Sequence, residues 1–225
     1  MSTSNLLKNK TILVAGANSL FGWQAAIACA ESGGTIVALC RDSAKLGSLL
    51  KKLHNINECS HAVIEFDMAA SELIPLKISK IIQEHGPIHG LIHAPGITTP
   101  CPFKAVKSPL LERLFRINVI SAFELVQALA FHPQCPRDIK MIFASPVAAA
   151  DYVDGMSAFA ACRGALMSST RLIASELAAN NVRINYLIPS LLYREGHCRN
   201  YFNSLENVSD DSNVNEIIRR MASGI

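Results

Sequence analysis

Six short apolar runs alternate with five segments of helical length, and this alternation constrains the fold more than any other feature of the chain. TILVA (11–15), TIVALC (35–40), AVIEF (62–66), GLIHA (90–94), KMIFA (140–144) and RINYLI (183–188) are apolar almost without a break. A strand with one wet face alternates apolar and polar residues, so an unbroken run requires cover on both faces. Residues 22–32, 43–54, 71–85, 109–131 and 157–180 lie between the runs and are long enough to be the covering helices. Strand and helix in strict alternation predict an α/β fold, a doubly wound parallel sheet in three layers (α/β/α). No repeat or linker divides the chain, so residues 1–225 read as a single domain.

Composition narrows the function classes. Half of the 225 residues are hydrophobic and 17% are charged, enough for a sizeable core. The net charge of +3 comes from scattered Lys and Arg, with no basic stripe for nucleic acid, so a small-molecule substrate is expected. Seven cysteines (Cys29, Cys40, Cys59, Cys101, Cys135, Cys162, Cys198) form no CxxC pair and are odd in number. They read as thiols in a reducing cytoplasm, with no disulfide framework and no metal site. His85 and His89 are four apart, but Gly86-Pro87 between them breaks any helix that could align them on a metal. The N-terminal MSTSNLLKNK is too polar for a secretory leader, and no apolar run approaches the ~18 residues of a membrane span.

In doubly wound sheets ligands sit beyond the carboxyl ends of the strands, where strand order reverses. After the first strand comes AGANSLFGW (15–23), with Gly16 and Gly22 flanking Asn18, Ser19, Leu20 and Phe21 in a turn that enters a helix. Glycine there lets backbone N–H groups and the positive helix end approach a phosphate. Glycine also serves such turns for its backbone angles alone, so this segment leaves both readings open. The second strand ends in Cys40-Arg41-Asp42-Ser43, with no acidic residue at the strand end to hold a ribose 2′-hydroxyl but a cation and a hydroxyl suited to a 2′-phosphate. The third ends in Phe66-Asp67-Met68 and the fourth in His93-Ala94-Pro95-Gly96, and a long helix then carries Asn118.

This ordered series resembles the short-chain dehydrogenase/reductase family from about residue 10 to 190. The resemblance implies a Rossmann-type sheet in the order 3-2-1-4-5-6, NADP(H) as cofactor in preference to NAD, a carbonyl or alcohol substrate, and a homodimer through helices 109–131 and 157–180. It sets Gly16, Leu20 and Gly22 at the three glycines of the phosphate turn, so the middle one is replaced and binding should weaken. Asp67 falls at the aspartate that holds adenine and Asn118 at the active-site asparagine. His93-Ala94-Pro95-Gly96 stands where the family has Asn-Asn-Ala-Gly, and Pro189-Ser190 where it has Pro-Gly. By the same resemblance the cofactor-binding set is Gly16, Asn18, Ser19, Leu20, Phe21, Gly22, Arg41, Asp67, Met68, His93, Ala94, Pro95, Gly96, Arg163 and Pro189.

The run SAFAACRGAL (157–166) places Phe159 and Arg163 one helical turn apart, on one face. Two readings are open: core aromatic plus solvated charge, or two groups aligned on purpose. Against the family's Tyr-x-x-x-Lys, Phe159 takes the tyrosine position and Arg163 the lysine position. Phenylalanine has no proton to give, and guanidinium does not release one near neutral pH, although it can still donate to a ribose. No lysine follows Lys140, and the fourth residue after Tyr152 is Met156, so no shift of register restores the pair. The family's serine falls on Pro146; Ser145, one residue away, faces the opposite side of a regular strand and reaches the substrate only across a bulge. Positioned acid–base catalysis contributes about 10²–10⁴-fold, so its loss cuts turnover without preventing cofactor binding.

Of the remaining candidates, His93 reads either as a structural histidine or as a substitute proton carrier, and Asp210-Asp211 as a solvated loop or cap. Residues 191–225 read as a shortened substrate region, with the family's usual seventh strand missing. Two functions stand at this point. One is an NADP-dependent oxidoreductase with impaired Ser-Tyr-Lys chemistry, in which Asn118, Ser145, Phe159 and Arg163 occupy the catalytic positions. The other is an inactive relative serving as a regulatory or scaffolding subunit.

Overall fold

A computed structural model of the chain describes residues 5–95, 97–144, 154–187 and 221; the side chains of Leu20 and residues 43–46 are outside that description. Six parallel strands form one sheet: β1 (Thr11–Ala15), β2 (Thr35–Cys40), β3 (Ala62–Glu65), β4 (Gly90–His93), β5 (Lys140–Ala144) and β6 (Arg183–Leu187). Their spatial order is β3-β2-β1-β4-β5-β6, as expected for this fold. The helices are α1 (Leu20–Glu31), α2 (Ser43–Ile56), α3 (Ile74–His85), α4 (Ser108–Phe115), α5 (Ser121–Ala130) and α6 (Ser157–Leu177). None among the described residues is long and apolar enough to cross a membrane.

The continuous apolar runs are explained by cover on both sides. Along β1, Leu13 and Ala15 join a core that includes Ile78 and Ile82 of α3 and Leu125 and Leu129 of α5. The alternate residues Ile12 and Val14 join a second core with Ala25 and Cys29 of α1 and Leu49 and Leu53 of α2. Every one of these side chains is at most 1% exposed, apart from Ile82 at 3%. At ~25 cal/mol per Å² of apolar surface removed from water, two such layers are the main stabilising contribution. Cys29 in the second layer and Cys162, which packs with Leu114, Val119 and Ala158 in a smaller cluster, are buried thiols: burial pushes Cys29 up to about 12 and Cys162 up to about 11, so both stay protonated.

Several element boundaries depart from the sequence reading, among them a 3-10 turn at Ser71–Leu73 ahead of α3 and another at Ala178–Asn180 after α6. α1 begins at Leu20, not at residue 22, because Ser19 is extended (φ −74°, ψ 155°) and its hydroxyl accepts the Gly22 N–H, capping the helix earlier. Strands β3 and β4 stop at Glu65 and His93, although the N–H groups of Phe66 and Ala94 still donate to Cys40 and Ala15 carbonyls. The long helix expected over 109–131 is two helices joined by a π turn at Arg116–Ile120. Within it the Asn118 amide donates to the Leu114 carbonyl at 2.9 Å and to the Ile97 carbonyl at 3.4 Å. Its side chain thus supplies a donor where the widened backbone turn diverts one.

Candidate functional site

Strand order reverses between β1 and β4, and there the backbone of one loop rests on the other. Gly16 has φ +83°, and a Cβ on it would lie 2.7 Å from the Ala94 carbonyl carbon and oxygen and from Pro95 Cα. Glycine is required there twice, for the left-handed backbone and for the contact. A Cβ on Gly22 would stand 2.4 Å from the Gly16 carbonyl oxygen, so the first turn of α1 presses on the same loop.

Over this junction lies a groove lined by Gly16, Asn18, Arg41, Asp67, Met68 and Pro95, six residues the sequence reading had singled out. Leu39, Phe66, Ile97 and Ile117, none of them among the expected site residues, give it apolar walls, and Cys40 completes the lining. Two of them had a usable signal, since Leu39 lies two residues before Arg41 on the same strand end and Phe66 directly precedes Asp67. Asp67 Oδ1 accepts the Ala69 N–H at 2.9 Å, a short turn that fixes the carboxylate at the groove's rim. Arg41 is exposed there.

Other expected residues are elsewhere. The Phe21 side chain turns into the core of α1 and the sheet instead of the groove, and Ser19 serves as the helix cap. Ala94 lies beneath Gly16 and is 3% exposed. Ser145, Pro146, Tyr152, Gly96, Pro189, Ser190 and Asp210-Asp211 are outside the described residues, and of Leu20 only the backbone is described.

Phe159 and Arg163 do share one face of α6. The guanidinium carbon sits 4.4 Å from the centroid of the Phe159 ring, and Nη2 donates to the Pro95 carbonyl at 3.3 Å. Both side chains are 1% exposed, so the reading of Arg163 as a solvated charge is corrected: it is a buried cation stacked on an aromatic face. Pro95 joins the two halves of the crevice, lining the groove with one side and accepting from Arg163 with its carbonyl.

His93, read as a possible proton carrier, is fully buried. Ser121 Oγ donates to the Ile117 carbonyl at 2.7 Å and so turns a lone pair to His93 Nε2 at 3.0 Å, which assigns the proton to Nε2. The ring meets Phe143 edge-on at 5.6 Å. Burial, and after it the charge of Arg163, push His93 down to about 3, so it remains neutral and packed.

Residues 10–196 match the family described as short chain dehydrogenase. The chain belongs to that family. Among its relatives are an L-xylulose reductase of Caenorhabditis elegans, 30% identical over 82% of this chain and 72% of the relative, and a 3-oxoacyl-[acyl-carrier-protein] reductase of Thermotoga maritima, 23% identical over 83% and 75%. A short-chain dehydrogenase structure from Pseudomonas syringae superposes with a TM-score of 0.82 at 23% identity, over 97% of this chain and 91% of that one. Another, from Shigella flexneri and complexed with NADP, gives 0.73 at 24% identity, over 83% and 79%. In this short-chain dehydrogenase, then, the aromatic and the cation that family spacing sets at the tyrosine and lysine positions are buried against each other.

Proposed function

We propose that this short-chain dehydrogenase binds NADP(H) with the adenosine end in the groove beside Gly16, and that its carbonyl–alcohol oxidoreductase chemistry is impaired. The observation that carries the reading is the Phe159–Arg163 stack: a ring without a hydroxyl and a guanidinium in place of an ammonium stand at the family's tyrosine and lysine positions. The cofactor half is supported by a cradle at Gly16 that any Cβ would fill, by Asp67 and Asn18 at the rim, and by solved relatives complexed with NADP and NADPH. Arg41 at the end of β2, where an acidic residue would favour NAD, supports NADP. When bound, the dinucleotide supplies or takes the hydride. This chain's own part is to hold the adenosine and phosphates; its buried cation does not move a proton.

Calorimetry with NADPH and NADH, together with NADPH oxidation against ketones and 3-oxoacyl thioesters, tests both halves. Saturable NADPH binding with negligible turnover is expected. The triple variant Pro146→Ser, Phe159→Tyr, Arg163→Lys is expected to gain about 10²-fold or more, well beyond the sum of the single changes. Brisk turnover by the unaltered chain would remove the impairment.

Pairing through the helices, expected of the family and equally open to a regulatory or scaffolding subunit, is supported by their surface. Ile120 and Phe123 near the start of α5 and Met167 and Leu172 on α6 are 37–66% exposed, large apolar groups that a homodimer through these helices would cover. Sedimentation of Phe123→Glu with Met167→Glu checks it: a shift from dimer to monomer is expected.

A further inference from the structure

At the end of the sheet opposite the crevice, the starts of β1, β4 and β5 enclose a cavity of about 100 Å³, with Lys10, Ile12, His89, Asp138, Lys140 and Met221 in its lining. The strand register sets Ile12, Gly90 and Lys140 in one row, and parallel neighbours in a row face the same side of the sheet. Gly90 leaves the middle of that row bare. A Cβ there would stand 2.9 Å from both Ile12 Cδ1 and Met221 Sδ, so the Met221 thioether lies where a side chain would have been.

The polar groups of this cavity are mostly donors. Lys140 keeps its side chain only 16% exposed, and its ammonium reaches the Asp138 carbonyl at 3.2 Å and the Asp138 carboxylate at 3.4 Å, both long for a charged donor. Asp138 is itself 62% exposed, so water screens much of its charge. A lysine as hidden as Lys140 is ordinarily paired more closely. Lys10 brings a second ammonium, and its backbone is tied on both sides, N–H to the Leu7 carbonyl and carbonyl to the Thr35 N–H, at 2.9 Å each. His89 Nδ1 accepts the Thr11 N–H at 3.1 Å, which leaves the proton of the neutral ring on Nε2 as a further donor. Burial, and after it the charge of Lys10, hold His89 below its ordinary value against the opposing pull of Asp138 and the Pro87 carbonyl. The lining thus sets two ammonium groups and an imidazole against one carboxylate.

We infer that this cavity binds a small tetrahedral oxyanion, phosphate or a phosphoryl group, between the ammonium groups of Lys10 and Lys140 and beside His89. Its volume holds several water-sized groups, enough for an ion of four oxygens. The site is separate from the groove and independent of any dinucleotide.

Calorimetric titration of the full chain with inorganic phosphate at fixed ionic strength tests it. Saturable binding with a dissociation constant of about 1 mM is expected, unchanged in Arg41→Ala and weakened at least about tenfold when Lys10→Gln and Lys140→Gln are combined. Lys10→Gln alone, at an exposed position, carries the same test should the double variant fail to fold. The enclosed volume favours the free ion, so glycerol 3-phosphate is expected to bind more weakly; equal or tighter binding would assign the site to a phosphoryl group carried on a larger molecule. Binding lost in Arg41→Ala and kept in the lysine variants would put the phosphate in the groove and overturn the inference, as would the lack of saturation by about 20 mM. The His89 ring titration followed by NMR is a second readout. Sulfate, a dianion throughout that range, is expected to raise its midpoint above that in chloride of equal ionic strength, because a bound anion favours the charged ring. Equal midpoints in the two salts overturn the inference.

Discussion

At the amino ends of the strands two histidines complete the hydrogen-bond ladder, whereas at the carboxyl ends two loops touch backbone to backbone with no side chain between them. His89 Nδ1 accepts the Thr11 N–H at 3.1 Å as β1 begins. His61 Nδ1 accepts the Ile36 N–H at 3.1 Å in β2, and its Nε2 reaches Asn57 Oδ1 at 2.8 Å; the Asn57 amide continues to the Ala30 carbonyl at 2.7 Å. On the opposite side of the sheet, Gly16 lies directly on Ala94 and Pro95. Side chains at the amino ends tie loops and helices to the strands; at the carboxyl ends their absence lets the loops come together and leaves a groove above them. Stability and ligand binding should therefore respond to different positions.

The largest expected effect is at the junction itself. Gly16→Ala combines a left-handed backbone with a Cβ 2.7 Å from the Ala94 backbone, and should destabilise the fold on the order of 3 kcal/mol as well as abolish NADPH binding. Denaturant unfolding and calorimetry read the two outcomes, and a stable variant with unchanged affinity would break the contrast between the ends.

Acid comes next. His61 is held down to about 4, by burial first and then by His54, and His93 to about 3. Both lie below their ordinary 6.5, so the unfolded chain takes up protons first. The stability they contribute is complete above pH 6.5 and is lost as pH falls through 4 and then 3, on the order of 2 kcal/mol for His61. The urea midpoint should fall steadily over this window. A midpoint that holds or rises down to pH 4 would contradict it.

His61→Ala sharpens the comparison by leaving the Ile36 N–H without its acceptor, at a cost of roughly 1–3 kcal/mol and with NADPH affinity unchanged. Arg41→Ala should do the reverse, leaving the melting temperature alone and removing most of the preference for NADPH over NADH, about tenfold. Should either substitution move both properties, the division between the ends is not as clean as the hydrogen bonds suggest.

Much of the fold was legible because burial on both faces writes itself into the strands: a run such as TILVA has no alternation to mislead. The groove was half legible. Gly16, Arg41 and Asp67 sit at strand ends, where position alone marks them, while Ile97 and Ile117 are apolar residues in a loop and a turn with nothing local to distinguish them from core. The direction of Arg163 was not readable, since helical spacing fixes that it shares a face with Phe159 but not whether that face meets solvent. His61 went unnoticed for a related reason: its partner Ile36 is 25 residues away, and only the assembled sheet brings them together.

The π turn at Arg116–Ile120 leaves its mark on everything downstream of it. One residue more than an α-helical turn requires rotates the following helix by about 100°, so α5 shows Phe123 to the outside while Ala122, Leu125 and Leu129 face the sheet. Deleting a single residue there would iron the helix straight, swing Phe123 into the place of Ala122 and move Leu125 and Leu129 to the half-buried places of Glu124 and Ala128. The segment therefore tolerates substitution far better than any change in length.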